Sequence, residues 1–414
     1  MKLELVRGMR DIIGYEALAQ REFEKRAADF LAGVGYEEVK LPSIEYYDLI
    51  AAKAGQELLD SLYEFEDKAG RKVALTPELT ASATRLYLTK FRNAPKPVKL
   101  WYTGSCFRYD EPQRGRYRQF TQLGVEVFGS SSPLADSEVA FVAANLLKKI
   151  GINATVKVGN ISFIRSLLAD SGLFGEKLLL AIREVDHANY EAVKSMLNPK
   201  GKAIIDQLMG EKKSDLNYWE TLSSTEIPSA VPGIRRLKRV IELLKIMLPD
   251  TKINVDLSFA RGLAYYTDFI FEAFSEGVNE ALLGGGRYDE LVAELGGPPT
   301  PAVGFAIGVD RIALLVKDLN IKKKALIVPL DDASLDKAAL AFSRLSQDGD
   351  GFELMPIPLS VREAIERALK SSYDTVILAG SREGPNEVVV KNLVSRSQSV
   401  LAIDDIKEVF ASSR

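Results

Sequence analysis

The sequence predicts an α+β domain built on an antiparallel sheet flanked by helices, interrupted by a helical insertion and followed by a smaller α/β domain. Three observations carry that expectation. Between Val98 and Phe128, two β-rich segments flank a basic turn, as in a long hairpin. From about residue 163 to 232 the pattern changes to consecutive amphipathic helices. After Lys322-Lys323-Lys324, strands and helices alternate to the end. The expected domains are 1–320, with the insertion inside it, and 321–414.

Taken in order, Tyr15 to Ala32 reads as a helix with apolar residues near a 3.6 period, ended by Gly33 and Gly35. Tyr36 to Leu41 reads as a strand stopped by Pro42, a pattern that fits plain scaffold and a subunit interface equally. Leu62–Glu66 and Lys72–Leu75 read as paired strands about a turn at Ala69-Gly70. Thr76 is then a helix N-cap, with Pro77 at the first helical position and the carboxylate of Glu78 in a first turn that favours it, the helix running to about Lys90. The insertion's lysines face solvent on the simplest reading. Strand character returns at Ile253–Leu257, and Asp256–Arg311 holds three motifs. These are Arg261-Gly262-Leu263-Ala264-Tyr265-Tyr266-Thr267, Gly284-Gly285-Gly286-Arg287-Tyr288-Asp289, and Gly304 to Arg311. On a strand, Tyr265 and Tyr266 would face opposite sides, and three successive glycines would let a ligand approach the backbone. The last motif reads strand, glycine, then helix, with Arg311 in the first turn.

Composition excludes several chemistries. The chain has 414 residues, 46% hydrophobic and 27% charged, with a net charge of −3. That is an ordinary globular balance, and any nucleic acid would have to be gripped by local basic surface. One cysteine, Cys106, rules out an intrachain disulfide and a cysteine zinc cluster. One histidine, His187, rules out a two-histidine metal site, and its polar helical setting reads as surface. There is no P-loop motif. The start has no apolar signal region and no run approaches the ~20 apolar residues that span a bilayer, so the cytoplasm is the expected compartment.

The basic turn is the most informative segment. Phe107 to Phe120 places Arg108, Arg114, Arg116 and Arg118 within eleven residues, beside aromatic rings and a turn marked by Pro112 and Gly115. Guanidinium forks suit phosphate oxygens, and a flat ring suits a base. Strand, basic loop and strand, with arginines at both loop ends aimed at one ligand, reads as a nucleoside-triphosphate site.

Together these motifs resemble the histidyl-tRNA synthetases, which are class II aminoacyl-tRNA synthetases. The resemblance runs from Arg7-Gly8-Met9-Arg10-Asp11 to the C-terminal domain. The basic loop alone would indicate only the class; the Arg261 and Gly285-Gly286-Arg287-Tyr288 motifs indicate the histidine enzymes. The resemblance implies a class II catalytic domain, an anticodon-binding C-terminal domain and a homodimer. It implies that Arg108 meets the ATP α-phosphate, that Phe120 stacks on adenine, and that Arg116 and Arg311 meet the β/γ-phosphates and the far side of the base. Glu78, Thr80 and Gln122 would surround the histidine ammonium. Glu126 and Tyr266 would bond the imidazole, with Tyr265 beside them and Tyr288 closing the pocket. Arg261, with Arg108, would be catalytic, stabilising charge between the carboxylate and the α-phosphate. Gln113 would approach the tRNA acceptor end.

L-histidine, ATP with Mg²⁺, and tRNA(His) are the implied partners, and no side chains are assigned to a metal. Two positions depart from the family pattern: Ala264 stands where an acid is usual, and Thr121 where the loop often reads Gln-Phe-His-Gln. The alternative is a catalytically inactive, synthetase-like regulatory subunit of ATP phosphoribosyltransferase. Such proteins usually lack the anticodon-binding domain and the arginine-bearing histidine motif, both of which this chain retains.

Overall fold

In the computed structural model of the chain, residues 3–52, 55–111, 117–260, 265–275, 280–316, 319, 325–347, 351–371 and 373–411 are described. The chain divides into two compact units, Met1–Leu319 and Asn320–Arg414. The first unit's strands, in chain order, are β1 (Glu37–Glu38), β2 (Ile44–Tyr46), β3 (Glu64–Glu66), β4 (Lys72–Leu75), β5 (Val98–Phe107) and β6 (Gln119–Phe128). They continue with β7 (Ala154–Asn160), β8 (Ile253–Val255), β9 (Phe269–Ser275), β10 (Leu283–Arg287) and β11 (Ala302–Gly308). Eight form one sheet in the order β1-β5-β6-β11-β10-β9-β7-β8, and β2-β4-β3 form a small second one.

The central six strands are antiparallel as expected, but the edge pairs β1/β5 and β7/β8 are parallel. Both pairs are joined by long connections, which is what a parallel pairing requires. Strands β5 and β6 form an unbroken hairpin, in register from Val98↔Phe128 to Phe107↔Gln119. Helix Gly14–Gly33 buries Ala19, Phe23, Ala27 and Leu31, one residue per turn on a single face. Full burial of Phe23 and Leu31 contributes about 1.5–3 kcal/mol each. Helix Pro133–Lys148 starts on a Ser132 cap with proline at its first position, and lies across β6, β7, β9, β10 and β11.

Two local expectations fail for tertiary reasons. Of Tyr36–Leu41 only Glu37–Glu38 is strand, because the chain turns away once Val39 N has bonded Trp101 O. Thr76 caps no helix. Its hydroxyl bonds the carbonyls of Ser43 and Ser105, the helix starts at Thr80, and it widens to a π-turn over Tyr87–Phe91. Residues 76–79 therefore form a crossing segment beside the hairpin, where Phe107 N donates to Thr76 O.

Between β7 and β8 run helices Ile161–Asp170, Gly175–Asp186, Tyr190–Met196, Pro199–Met209, Leu216–Glu226 and Val231–Met247. Asn160, Asn198 and Asp215 cap three of them. The helices extend past residue 232 because Pro232 sits in the first turn of the last one, where proline starts a helix rather than ending one. Trp219 is fully buried at their centre, edge-on to Phe163 at 5.4 Å. His187 is exposed at the end of its helix.

The second unit carries β12 (Ala325–Pro329), β13 (Phe352–Leu354), β14 (Thr375–Ala379), β15 (Glu387–Asn392) and β16 (Gln398–Ala402), ordered β13-β12-β14-β15-β16. Alternate residues of β12 divide between two cores. Ala325 and Ile327 pack with Ala338 and Ala341 of helix Leu335–Leu345, whereas Leu326 and Val328 pack with Ala364 and Ala368 of helix Val361–Lys370. The latter helix begins with a capping box, Ser360 with Glu363.

Candidate active site

Four segments of the first unit meet over the middle of the large sheet. The two-residue period of β6 puts Gln122, Gly124 and Glu126 on one face. Strand β11 sets Gly304 opposite Glu126, and β10 brings Gly284 alongside. The crossing segment supplies Glu78, the helix after it starts with Thr80, and Tyr265, Tyr266 and Tyr288 come from the chain around β9 and β10. The result is a cavity of about 200 Å³ with Arg108 in its wall. That volume suits one amino acid, so a nucleoside triphosphate would have to lie across the mouth.

At the inner end, Glu126 is 1% exposed. Tyr102 Oη donates to its Oε1 at 2.8 Å, and Tyr288 Oη donates to its Oε2. Burial pushes the Glu126 carboxyl up to about 8 despite both hydroxyl donors. Glu78 is also buried, accepting from Tyr265 Oη at 3.0 Å. Burial raises its pKa, while the Arg108 cation, Tyr265, the Ala81 N–H and Thr80 all act against the rise. Thr80 lines the same cavity and acts against the rise at both carboxyl groups. Gln122 Oε1 accepts from Cys106 Sγ at 3.2 Å, and burial also raises the thiol's pKa.

The outer end is more open. Arg108 lies with its Cζ 5.5 Å from the Phe120 ring centroid, while its Nε donates to Pro77 O at 2.9 Å. Of the described arginines at the two loop ends, Arg108 alone lines the cavity. Arg118 is buried, stacks on Tyr109 at 3.7 Å and donates to Asp110 O, a structural role in place of the expected ligand contact. Arg311 follows β11 in a short helix, where it donates to Ala281 O at 2.7 Å and pairs with Glu280 at 3.2 Å. Gln113, Arg116 and Arg261 lie outside the described residues.

The glycine and tyrosine motifs work differently from their sequence readings. A Cβ on Gly285 would sit 2.2 Å from Gly304 O, and one on Gly286 would sit 2.6 Å from Phe269 O. Those two glycines admit neighbouring strands, and Gly284 alone of the three lines the cavity. Tyr265 and Tyr266 precede β9 rather than lying on a strand, so both rings reach the same cavity, 5.0 Å apart. Arg287 is fully buried, pairing with Asp136 at 2.6 Å and with Asp289 at 2.9 Å. It anchors the backbone that presents Tyr288, and deleting one partner of such a pair costs about 3–5 kcal/mol.

Sequence reasoning missed Tyr102, and it read Gly304 only as the start of a motif, not as the neighbour of Glu126. Tyr102 opposes Gly124 in the hairpin, where a Cβ on the glycine would lie 2.3 Å from the tyrosine hydroxyl. A Cβ on Gly304 would lie 1.8 Å from Glu126 Oε2. Strand register is the signal that pairs each with its neighbour, and a single sequence does not print it.

A cleft cut into the middle of an antiparallel sheet, with arginine and phenylalanine at its mouth, sets the class: it is the catalytic architecture of the class II aminoacyl-tRNA synthetases. The family model described as histidyl-tRNA synthetase matches residues 8–312. A histidine–tRNA ligase of Methanocaldococcus jannaschii is 34% identical over 417 residues, covering 97% of each chain. One of Saccharolobus solfataricus is 33% identical over 422 residues, covering 98% of each. The solved histidyl-tRNA synthetase of Nostoc has the same fold, with a TM-score of 0.82 at 20% identity over 100% of both chains. The chain belongs to the histidyl-tRNA synthetase family.

Proposed function

We propose that the protein is a histidine–tRNA ligase, activating L-histidine with ATP and passing the histidyl group to the 3′ end of tRNA(His). The observation that carries this reading is the pair of buried carboxyl groups in one small, tyrosine-walled cavity. Glu78, with Thr80 and Gln122, suits an ammonium. Glu126, with Tyr266 and Tyr288, suits an imidazole, which can exchange a proton with a carboxyl group whose pKa lies near neutrality. An apolar isostere would leave those polar groups unpaired, which is the strongest basis for discrimination.

In the first step a histidine carboxylate oxygen attacks the α-phosphorus. One P–O bond forms, the bond to the bridging oxygen breaks, and pyrophosphate leaves. No protein group has to move a proton, so placement and charge stabilisation carry the step. Arg108, and Arg261 by family resemblance, neutralise the charge that builds between carboxylate and phosphate. Phe120 receives the adenine, and Arg116 and Arg311 meet the β/γ-phosphates and the far side of the base, Arg311 by leaving Glu280. Among the described residues no three His, Cys, Asp or Glu side chains gather to hold a metal. Magnesium would enter with the ATP, as the family resemblance implies, and no protein side chain is assigned to it. A tRNA 3′-terminal hydroxyl then attacks the activated carbonyl and AMP leaves, with Gln113 near the acceptor end and the second unit on the anticodon.

Among the described residues no helix is long and apolar enough to cross a membrane, and the cytoplasm is the proposed setting. A homodimer is also proposed. The register of β2, β4 and β3 puts Ile44, Tyr46 and Phe65 on one face, and all three are exposed. A second copy would cover them. A monomeric sedimentation profile at micromolar concentration would remove that element.

The deciding experiment is ATP–pyrophosphate exchange without tRNA, run against all twenty amino acids. Exchange with histidine alone is the expected result, followed by charging of tRNA(His). Histidine binding without exchange would instead support the regulatory-subunit alternative.

A further inference from the structure

The N-terminal segment before helix Gly14–Gly33 has contacts that the reaction above does not use. Gly8 O accepts from Arg118 N at 2.9 Å. Gly8 holds φ +82°, and a Cβ there would sit 2.6 Å from the Arg118 side chain. Arg7 reaches the other loop end, pairing with Glu111 at 2.7 Å. Arg10 does most. Its guanidinium lies 3.8 Å from the Tyr117 ring centroid, and it pairs with Glu16 at 2.5 Å and with Asp310 at 2.7 Å. Asp310 is 2% exposed. Gln20 Nε2 also donates to the oxygen that Arg10 holds, and the second oxygen accepts the Thr121 backbone N–H at 2.6 Å.

We propose that residues 7–10 form a strap holding both ends of the basic loop, and that Arg10 is a positioning residue for ATP. Asp310 precedes Arg311, and Thr121 lies between Phe120 and Gln122. One carboxylate thus ties the strand that carries the adenine and ammonium contacts to the helix that carries a phosphate contact. Arg10 sets where that carboxylate stands and stacks on the residue at which the loop re-enters the sheet. The contact to Thr121 is made by backbone, so the departure of that side chain from the family pattern leaves it intact. The link to ATP rests on the function proposed above; the mechanical coupling does not.

The test compares the full-length protein with Arg10→Gln in pyrophosphate exchange, and by hydrogen exchange of peptides covering residues 117–122. Loss of a charge-assisted contact of this kind predicts an ATP KM raised about tenfold. Histidine KM should rise by less, about twofold, since Gln122 adjoins the loosened segment while Glu78, Thr80 and Glu126 lie outside it. Amide exchange over 117–122 should accelerate, with Arg10→Lys intermediate because it keeps a charge but loses the planar stack. A folded Arg10→Gln protein with wild-type ATP KM and wild-type amide exchange would overturn the proposal. So would an equal rise in both KM values with exchange unchanged. If Arg10→Gln does not fold, Gly8→Ala takes its place, since its Cβ must displace the strap from Arg118; an unaltered ATP KM there overturns the idea. If the wild type shows no histidine-dependent exchange, the function reading fails, and the amide exchange still decides the strap.

Discussion

The two ends of the cleft are built on opposite principles. At the inner end Glu126, Tyr102 and Tyr288 are buried, and both tyrosines bond the carboxyl group, so the protein's own contacts set the shape. At the outer end Arg108 and Arg311 are partly exposed and occupied by provisional partners, Pro77 O and Glu280. On the roles proposed above, the contrast separates two tasks. Selecting one amino acid among twenty needs a rigid, desolvated site in which a mismatch leaves polar groups unpaired. Admitting a large, highly charged co-substrate and releasing pyrophosphate needs contacts that can be exchanged.

The largest effect expected at the rigid end is that of Glu126→Gln. It should lower kcat/KM for histidine by about 10³-fold or more, because an amide cannot match a carboxyl group in proton exchange with the imidazole. The same variant has a stability signature. Glu126 titrates at about 8 in the folded protein against an ordinary value of 4.5, so between those values the native state holds a proton that the unfolded chain has released. The ligand-free wild type therefore loses stability as pH rises through that window. The variant should gain on it by at least about 1 kcal/mol between pH 5 and pH 8 in urea unfolding. A gap that stays constant with pH would contradict the assignment.

Next comes Gly304→Ala, whose new methyl group would overlap Glu126 Oε2. Overpacking predicts a loss of about 1–3 kcal/mol together with weakened histidine activation. Unchanged denaturation would mean that the inner end is less rigid than the comparison holds. Tyr102→Phe is milder: removing one of two hydroxyl donors to Glu126 should raise histidine KM about tenfold and leave ATP KM alone. A matching rise in both would place Tyr102 with the general scaffold.

The smallest effect tests the exchangeable end. Glu280→Gln releases Arg311 from a pair whose acid is 69% exposed, and such pairs contribute little. ATP KM should fall by about twofold at low salt, the difference shrinking as salt is added. A rise in ATP KM would show that Glu280 holds Arg311 where it is needed.

Much of this was legible in the chain, for identifiable reasons. The hairpin of β5 and β6 announced itself by alternation on either side of a Pro/Gly-marked turn. The second unit's strands and helices followed from the alternation of strand-like and helical segments after Lys322-Lys323-Lys324. Among the cavity residues, Glu78, Gln122, Glu126 and the tyrosines belong to motifs that can be read without a structure. What escaped was set by register and by distant partners. Tyr102 matters because Gly124 lies opposite it, and Thr76 fails as a cap because two carbonyls from elsewhere claim its hydroxyl. Tyr265 and Tyr266 share a cavity because they lie before the strand and not on it, where a two-residue period does not apply.

The glycines beside Glu126 also bear on how such a pocket can change over time. Gly124 leaves room for the tyrosine that holds the carboxyl group, and Gly304 leaves room for the carboxyl group itself. A mutation that enlarged either glycine would strike the proposed recognition group, or the tyrosine that holds it, before it could reshape the cavity. Replacing Glu126 first would strand two tyrosine hydroxyls in a dry interior. No single substitution leads downhill to another amino acid, so the specificity is protected by the ruggedness of the paths leading away from it.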